Sequence, residues 1–304
     1  MRGTINLNDL STKATLKLFD SLVKPVALYG AQIWADSTCL GKIFTNIRGL
    51  KDQMSNPDDD MVAKSVNSLL KKIAPDSCER LHLCTLKWIL GIHKKASNAG
   101  VWGDTGRTPL GLSAIKLSLD YFQRVENLPP DTITSLAFQE QKRLNLSWFS
   151  TLNSIFTNYG GLIPSPGAGG PGPRAILSEM ESSFKDMWLV SVRSSSKLTF
   201  YSSIKHSFKR EGYLDLTNKD ARFNLTRLRI SAHNLEIERG RYSNTARDER
   251  LCKGCLIIGI SSVDDEGHLL YDCTPLGGLR ANLPTAVRKA LSMSPGTPDD
   301  RRAC

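Results

Sequence analysis

The chain has 304 residues, with 40 Lys and Arg against 30 Asp and Glu, a net charge of +10 and a pI near 9.3. That length holds two or three compact units with a sizeable core, and the cationic excess favours an anionic partner, most simply nucleic acid. No apolar run approaches the ~20 residues of a bilayer crossing, and seven unevenly placed cysteines with no secretory leader pattern at the start fit a reducing, intracellular compartment, cytoplasmic or nuclear, better than a disulfide framework.

In chain order, residues 7–34 have apolar positions at Leu16, Phe19, Leu22, Val23, Val26, Ala27 and Ile33, close to helical spacing. Ser11 or Thr12 is placed to cap the start, and Pro25 predicts a kink or two helices meeting. The run NPDDD at 56–60 reads as a turn and cap. Val62, Val66, Leu69, Leu70 and Ile73 then mark an amphipathic helix, and a further helix follows Pro75 and ends at Gly91. In KKASNAGVWGDTGRTPL (94–110), Ser97 or Asn98 caps a short helix, the glycines relieve the backbone, and Pro109 opens the next helix at its first position. Lys94, Lys95 and Arg107 either touch a phosphate backbone or form a solvated basic turn. Pro129-Pro130 ends that helix, and 133–156 continues as one less periodic helical stretch.

Residues 160–173 (GGLIPSPGAGGPGP) hold neither helix nor strand and read as a flexible linker. Placing the boundary there gives helical regions at 1–157 and 175–304, separated by a linker at 158–174. Helices are predicted at 175–192 and 198–208. In 219–242, Phe223, Leu225, Leu228, Ile230 and Leu235 form an apolar face with Lys219, Arg222, Arg227 and Arg229 strung around it; Arg239, Arg241, Arg247 and Arg250 continue the basic run. Ion pairing with Glu236, Glu238, Asp248 and Glu249 accounts for about half of these residues. His233 reads as a buried, hydrogen-bonded histidine ordering the turn before Glu238.

Cys252, Cys255, His268 and Cys273 are spaced Cys-x2-Cys-x12-His-x4-Cys. Three thiolates and an imidazole match the tetrahedral N/S preference of zinc, and a closed set leaves no open position for catalysis, so the site reads as structural. The bland alternative is that the cysteines are small buried hydrophobes. Gly254, as a turn residue between two thiols, favours the metal. Asp264, Asp265 and Glu266 are either hydrogen-bond partners of the imidazole or a solvated turn.

Three of these stretches resemble landmarks of the region after the catalytic palm in reverse transcriptases of non-LTR (LINE-type) retrotransposons. The first is LFDSLVKPVALYGAQIW (18–34), which departs from that family at Gln32, where Glu is usual. The second is 94–125, with Asn98, Val101, Gly103, Gly106, Arg107, Pro109 and Leu110 matching and Asp104 in place of Glu. The third is RLRISAHNLEIERGRY…CKGC…DDEGHLLYDC, where Arg229, Ser231, His233, Leu235, Ile237, Glu238, Gly240, Arg241 and Tyr242 lead into the Cys/His set.

The resemblance implies a mostly α protein: a thumb-like helical bundle, the linker, then a helical basic module with a small zinc-stabilised loop. It also implies binding of RNA or target DNA, for which Arg222, Arg227, Arg229, Arg239, Arg241, Lys94, Lys95 and Arg107 are the candidate contacts. No enzyme is expected. Two-metal polymerisation needs aspartates held together on a hairpin, whereas Asp58–Asp60, Asp264-Asp265 and Asp299-Asp300 lie in turns or the tail. Neither a membrane nor a small-molecule substrate is expected. A piece of a longer RNA-directed DNA polymerase, a zinc-stabilised protein-interaction scaffold and a decayed element copy are the alternative readings.

Overall fold

A computed structural model describes residues 10–35, 60–73, 77–159 and 172–284. The described residues are mostly helical, with fifteen α-helices joined by short 3-10 and π turns. Their one extended pairing is an isolated antiparallel bridge between Leu251 and Val263. The chain divides into two compact units, Met1–Thr226 and Arg227–Cys304.

The first unit begins with α1 (Thr12–Leu18), whose N-cap Ser11 accepts from Ala14 N at 3.2 Å. Pro25 then acts as anticipated. The ladder loosens into a π turn at Phe19–Val23 before α2 (Lys24–Ala27), and Gly30 at φ +71° turns the chain into α3 (Ala31–Trp34). The π turn absorbs the amide that proline lacks. After α4 (Asp60–Ile73) and α5 (Ser77–Ile89) come α6 (Asn98–Thr105), capped by Ser97 and closed by Gly106 at φ +63°, and α7 (Leu110–Glu126). Pro109 takes the N-cap of α7, one position earlier than expected. The NPDDD residues 56–59 and Pro75 lie outside the described residues.

The stretch 133–156 is two helices, α8 (Ile133–Leu144) and α9 (Ser147–Tyr159). Asn145 sits between them at φ +47°, and Leu146 N donates to Gln141 O, so the first helix closes through a left-handed residue that asparagine tolerates. Beyond the Gly/Pro stretch, α10 (Pro173–Arg193) carries Met180, Phe184, Met187 and Trp188 into the core; α7 brings Ile115, Leu119 and Phe122. α11 (Thr199–Ile204) ends earlier than the predicted 198–208. Lys205 turns inward there, where its buried ammonium is held by Lys209 O and the carboxylate of Glu211. A helix continuing to 208 would carry that charge past its partners.

The division into units therefore corrects the boundary read at 158–174. α9 and α10, on either side of that stretch, pack on one another inside the first unit; residues 160–171 lie outside the described residues. The division falls within α12 (Lys219–Arg229).

The second unit holds the end of α12, α13 (Glu236–Tyr242), α14 (Lys253–Ile257), a π turn at His268–Asp272 and α15 (Gly277–Ala281). The basic segment 219–242 is thus interrupted. Ser231 adopts φ +51° and the chain turns through Ala232 and His233. No helix among the described residues is long and apolar enough to cross a membrane.

Candidate metal centre

The four sequence-predicted ligands come together. Leu251 pairs with Val263, and Cys252 N donates to Ser262 O at 2.8 Å, so the chain leaves and returns to one point. Cys252 is the N-cap of α14 and Cys255 lies in its first turn, which aims both sulfurs the same way. Gly259, at φ +78°, turns the chain back after that helix. His268 then opens a π turn and Cys273 closes it, Cys273 N donating to His268 O at 2.8 Å. Arg280 clamps the carbonyl of Cys273 from α15.

The ligand atoms all lie within 4.8 Å of one another and all four residues are buried. Cys252 Sγ is 3.9 Å and Cys255 Sγ 3.8 Å from Cys273 Sγ, and Cys255 Sγ is 3.4 Å from His268 Nε2. Sulfurs at ~2.3 Å from a central tetrahedral ion stand about 3.8 Å apart, and sulfur to nitrogen about 3.5 Å. A disulfide would bring two sulfurs to ~2.05 Å; these cysteines are free. These three separations are compatible with a zinc ion held between the four residues.

Burial, with hydrogen bonds to the Cys255 and Cys252 thiols, pushes the Cys273 thiol up to about 11. Three converging sulfurs repel one another as thiolates, and a divalent cation reverses that balance. The bland alternative, cysteines as small hydrophobes, does not account for an imidazole nitrogen turned into the same cluster.

No protein-family model, curated protein or solved structure matches this chain.

The surroundings of the cluster differ from expectation. His268 Nδ1 is paired with Ser262 Oγ at 3.0 Å, not with an acidic residue. Asp264–Glu266 is not a solvated turn either. Asp265 Oδ1 accepts from His268 N at 2.9 Å, and Asp264 Oδ2 accepts from Glu236 N at 2.9 Å, which fixes the start of α13. Glu266 is buried between Ser231 Oγ (2.5 Å) and His233 Nε2 (2.9 Å). Burial alone would raise its carboxyl; the hydrogen bonds from His233 and Ser231 hold it below the usual range. His233 also accepts from Leu235 N at 3.3 Å, ordering the turn before Glu238 as its sequence context suggested. Gly254 lies in regular helix with ordinary clearance, so its role as a turn residue is not needed.

The basic candidates separate into three groups. In the second unit Arg227 is exposed and Arg229 half-buried on α12. On α13, Arg239 is exposed and loosely paired with Glu236 at 3.3 Å, while Arg241 is half-buried against Glu238 at 2.7 Å. Gly240 between them is required, because a Cβ there would meet the Arg250 side chain at 2.6 Å; Arg250 crosses it to donate to Ile237 O and Thr245 O. In the first unit Lys94 and Lys95 are exposed.

Two candidates are corrected as exposed phosphate contacts. Arg222 is buried, with Nη1 donating to Leu216 O at 2.8 Å. Arg107 is enclosed in a network: it forks onto Asp20, and its Nε donates to His82 Nε2 at 3.2 Å. His82 then donates from Nδ1 to Glu79 (3.3 Å), whose carboxylate also accepts from Trp102 Nε1 (2.9 Å) and Leu110 N (2.7 Å).

Proposed function

We propose that the chain is a zinc-stabilised, non-catalytic binder of RNA or single-stranded DNA, as its resemblance to the post-palm region of LINE-type reverse transcriptases implies. The observation that carries this reading is the buried cluster of Cys252, Cys255, His268 and Cys273, three of whose ligand-atom separations match edges of a zinc-centred tetrahedron. A closed shell of this kind holds fold rather than performing chemistry. It fixes the loop whose Asp264 starts α13, so the metal and the arginine-bearing helix are mechanically linked. Arg227, Arg229, Arg239 and Arg241 then supply the cationic contacts, with Lys94 and Lys95 as further phosphate contacts on the first unit.

Binding to a labelled single strand is expected to weaken moderately with salt. Three or four neutralised phosphates give a log–log slope of about −2 to −3, or roughly a 30-fold loss between 50 and 200 mM salt. Charge reversal at Arg227 and Arg239 is expected to flatten that slope by one to two. Absence of binding at 50 mM salt would sink the reading.

One observation favours a second reading, a protein-interaction scaffold. Leu256, Ile257, Ile258 and Ile260 are 45%, 86%, 50% and 41% exposed around the end of α14. Contiguous exposed apolar side chains mark contact surfaces. If Ile257→Ser abolishes function while charge reversal leaves it intact, the scaffold reading replaces the nucleic-acid one.

A further inference from the structure

The first unit contains a cavity of about 200 Å³, lined by α1, the end of α5 and the start of α12. Its polar wall is Thr12, Thr15, Lys219 and Arg222; its apolar wall includes Trp88, Ile89 and Phe223. Two of the polar groups are anomalous. Thr12 is 2% exposed and Arg222 7% exposed, yet Thr12 Oγ1 and Arg222 Nε are buried without a hydrogen-bond partner among the described residues.

Arg222 has its Nη1 on Leu216 O and its guanidinium over the Phe223 ring at 5.6 Å, but it meets no carboxylate among the described residues. Lys219, one helical turn back on α12, shares that ring at 5.4 Å and likewise lacks an acidic partner there. Buried polar atoms are satisfied almost without exception, and buried cations are paired. A buried guanidinium nitrogen and hydroxyl, both unsatisfied, and a half-buried ammonium therefore line one hollow.

We propose that this cavity binds a phosphate monoester carrying a flat ring, the chemistry of a nucleoside monophosphate. Charge decides for phosphate over carboxylate: a monoester near neutral pH carries close to two negative charges, matching Lys219 and Arg222. Arg222 Nε and Thr12 Oγ1 donate to its oxygens, and Lys219 neutralises the remainder. The half-exposed indole of Trp88 offers the ring a stacking face at the rim. Drug-sized ligands occupy roughly 300 Å³ or more, so this hollow takes a phosphate and the part of the molecule next to it. Free nucleotides and the 5′-phosphorylated end of a strand share this chemistry. The site stands apart from the reading above, since none of the Cys/His ligands or the arginines on α13 takes part.

The test is calorimetric titration of the full chain with adenosine 5′-monophosphate, adenosine and inorganic phosphate. Adenosine monophosphate is expected to bind at least about 10-fold more tightly than adenosine, the value of a charge-assisted hydrogen-bond set. Arg222→Gln should weaken it by about 100-fold, and Thr12→Val by about 10-fold. Thr12→Val keeps the test decisive if Arg222→Gln fails to fold: Thr12 Oγ1 has no hydrogen-bond partner among the described residues, so its loss is expected to leave thermal stability unchanged or higher. Oligonucleotides with and without a 5′-phosphate distinguish the sources. A preference for the phosphorylated strand that disappears in Thr12→Val assigns the strand end; equal binding of both, with only the mononucleotide affected, assigns the free nucleotide. Failure of both adenosine monophosphate and phosphate to bind at millimolar concentration, or undiminished nucleotide binding in Thr12→Val, overturns the proposal.

Discussion

His268 faces two ways, with Nε2 beside the Cys255 sulfur and Nδ1 beside Ser262 Oγ. In that arrangement Nδ1 carries the proton and donates to the serine, leaving Nε2 free as a metal ligand. Ser262→Ala removes the partner without touching a ligand. It is expected to weaken metal affinity about 10-fold, read by competition with a chromophoric chelator; unchanged affinity would show that the serine does not orient the ring. The four ligands were legible from residue type and spacing alone. Ser262 was not, because a serine six residues before a histidine carries no signal until Leu251 and Val263 pair. Glu266 was misjudged for a related reason. Three successive acids look solvated in sequence, yet the left-handed Ser231 and His233 close over one of them.

Among the helices of the first unit, Glu79 is the point of attachment. From α5 it accepts from Trp102 of α6 and Leu110 at the start of α7, and through His82 and Arg107 it reaches Asp20 in the π turn after α1. Asp20 is also burdened by burial, and the hydrogen-bonded, charged Arg107 more than offsets this, holding its carboxyl below the ordinary 3.8. Glu79→Ala orphans a buried indole N–H and a buried amide, at about 1–3 kcal/mol each. The thermal midpoint should fall by about 5–10 °C; a loss under 2 °C would mean that the network carries no stability. This is where sequence reading chose wrongly for Arg107. An arginine after a glycine-rich turn looks free for phosphate, and its partners lie 25 and 87 residues away in the chain. Helix positions were more legible, since caps such as Ser11 and Ser97 and the break at Pro25 are local chemistry. The division of 133–156 was hidden, because asparagine at 145 is compatible with both helix and left-handed turn.

Across the whole molecule, the +10 charge is not delivered as one free surface. Part of it is spent inside: Arg107, Lys205 and Arg250 hold backbone or buried partners. The contacts proposed for a polyanion are confined to α12, α13 and the 94–95 turn, which is why a moderate salt slope is expected rather than the steep one that the total charge suggests. The Gly/Pro composition of 158–174 pointed to a domain boundary, yet composition reports chain stiffness and not which helices bury against each other, and α9 and α10 share a core. The second unit is small, and few of its side chains outside the Cys/His cluster are fully buried; metal binding energy is folding energy in such units. Metal analysis of the purified chain is therefore the most direct measurement, with Cys252→Ser and His268→Ala as controls. One zinc per chain, lost in both variants together with the fold of the second unit on chelation, is the expected result. A metal-free chain whose second unit is indifferent to chelator would contradict it.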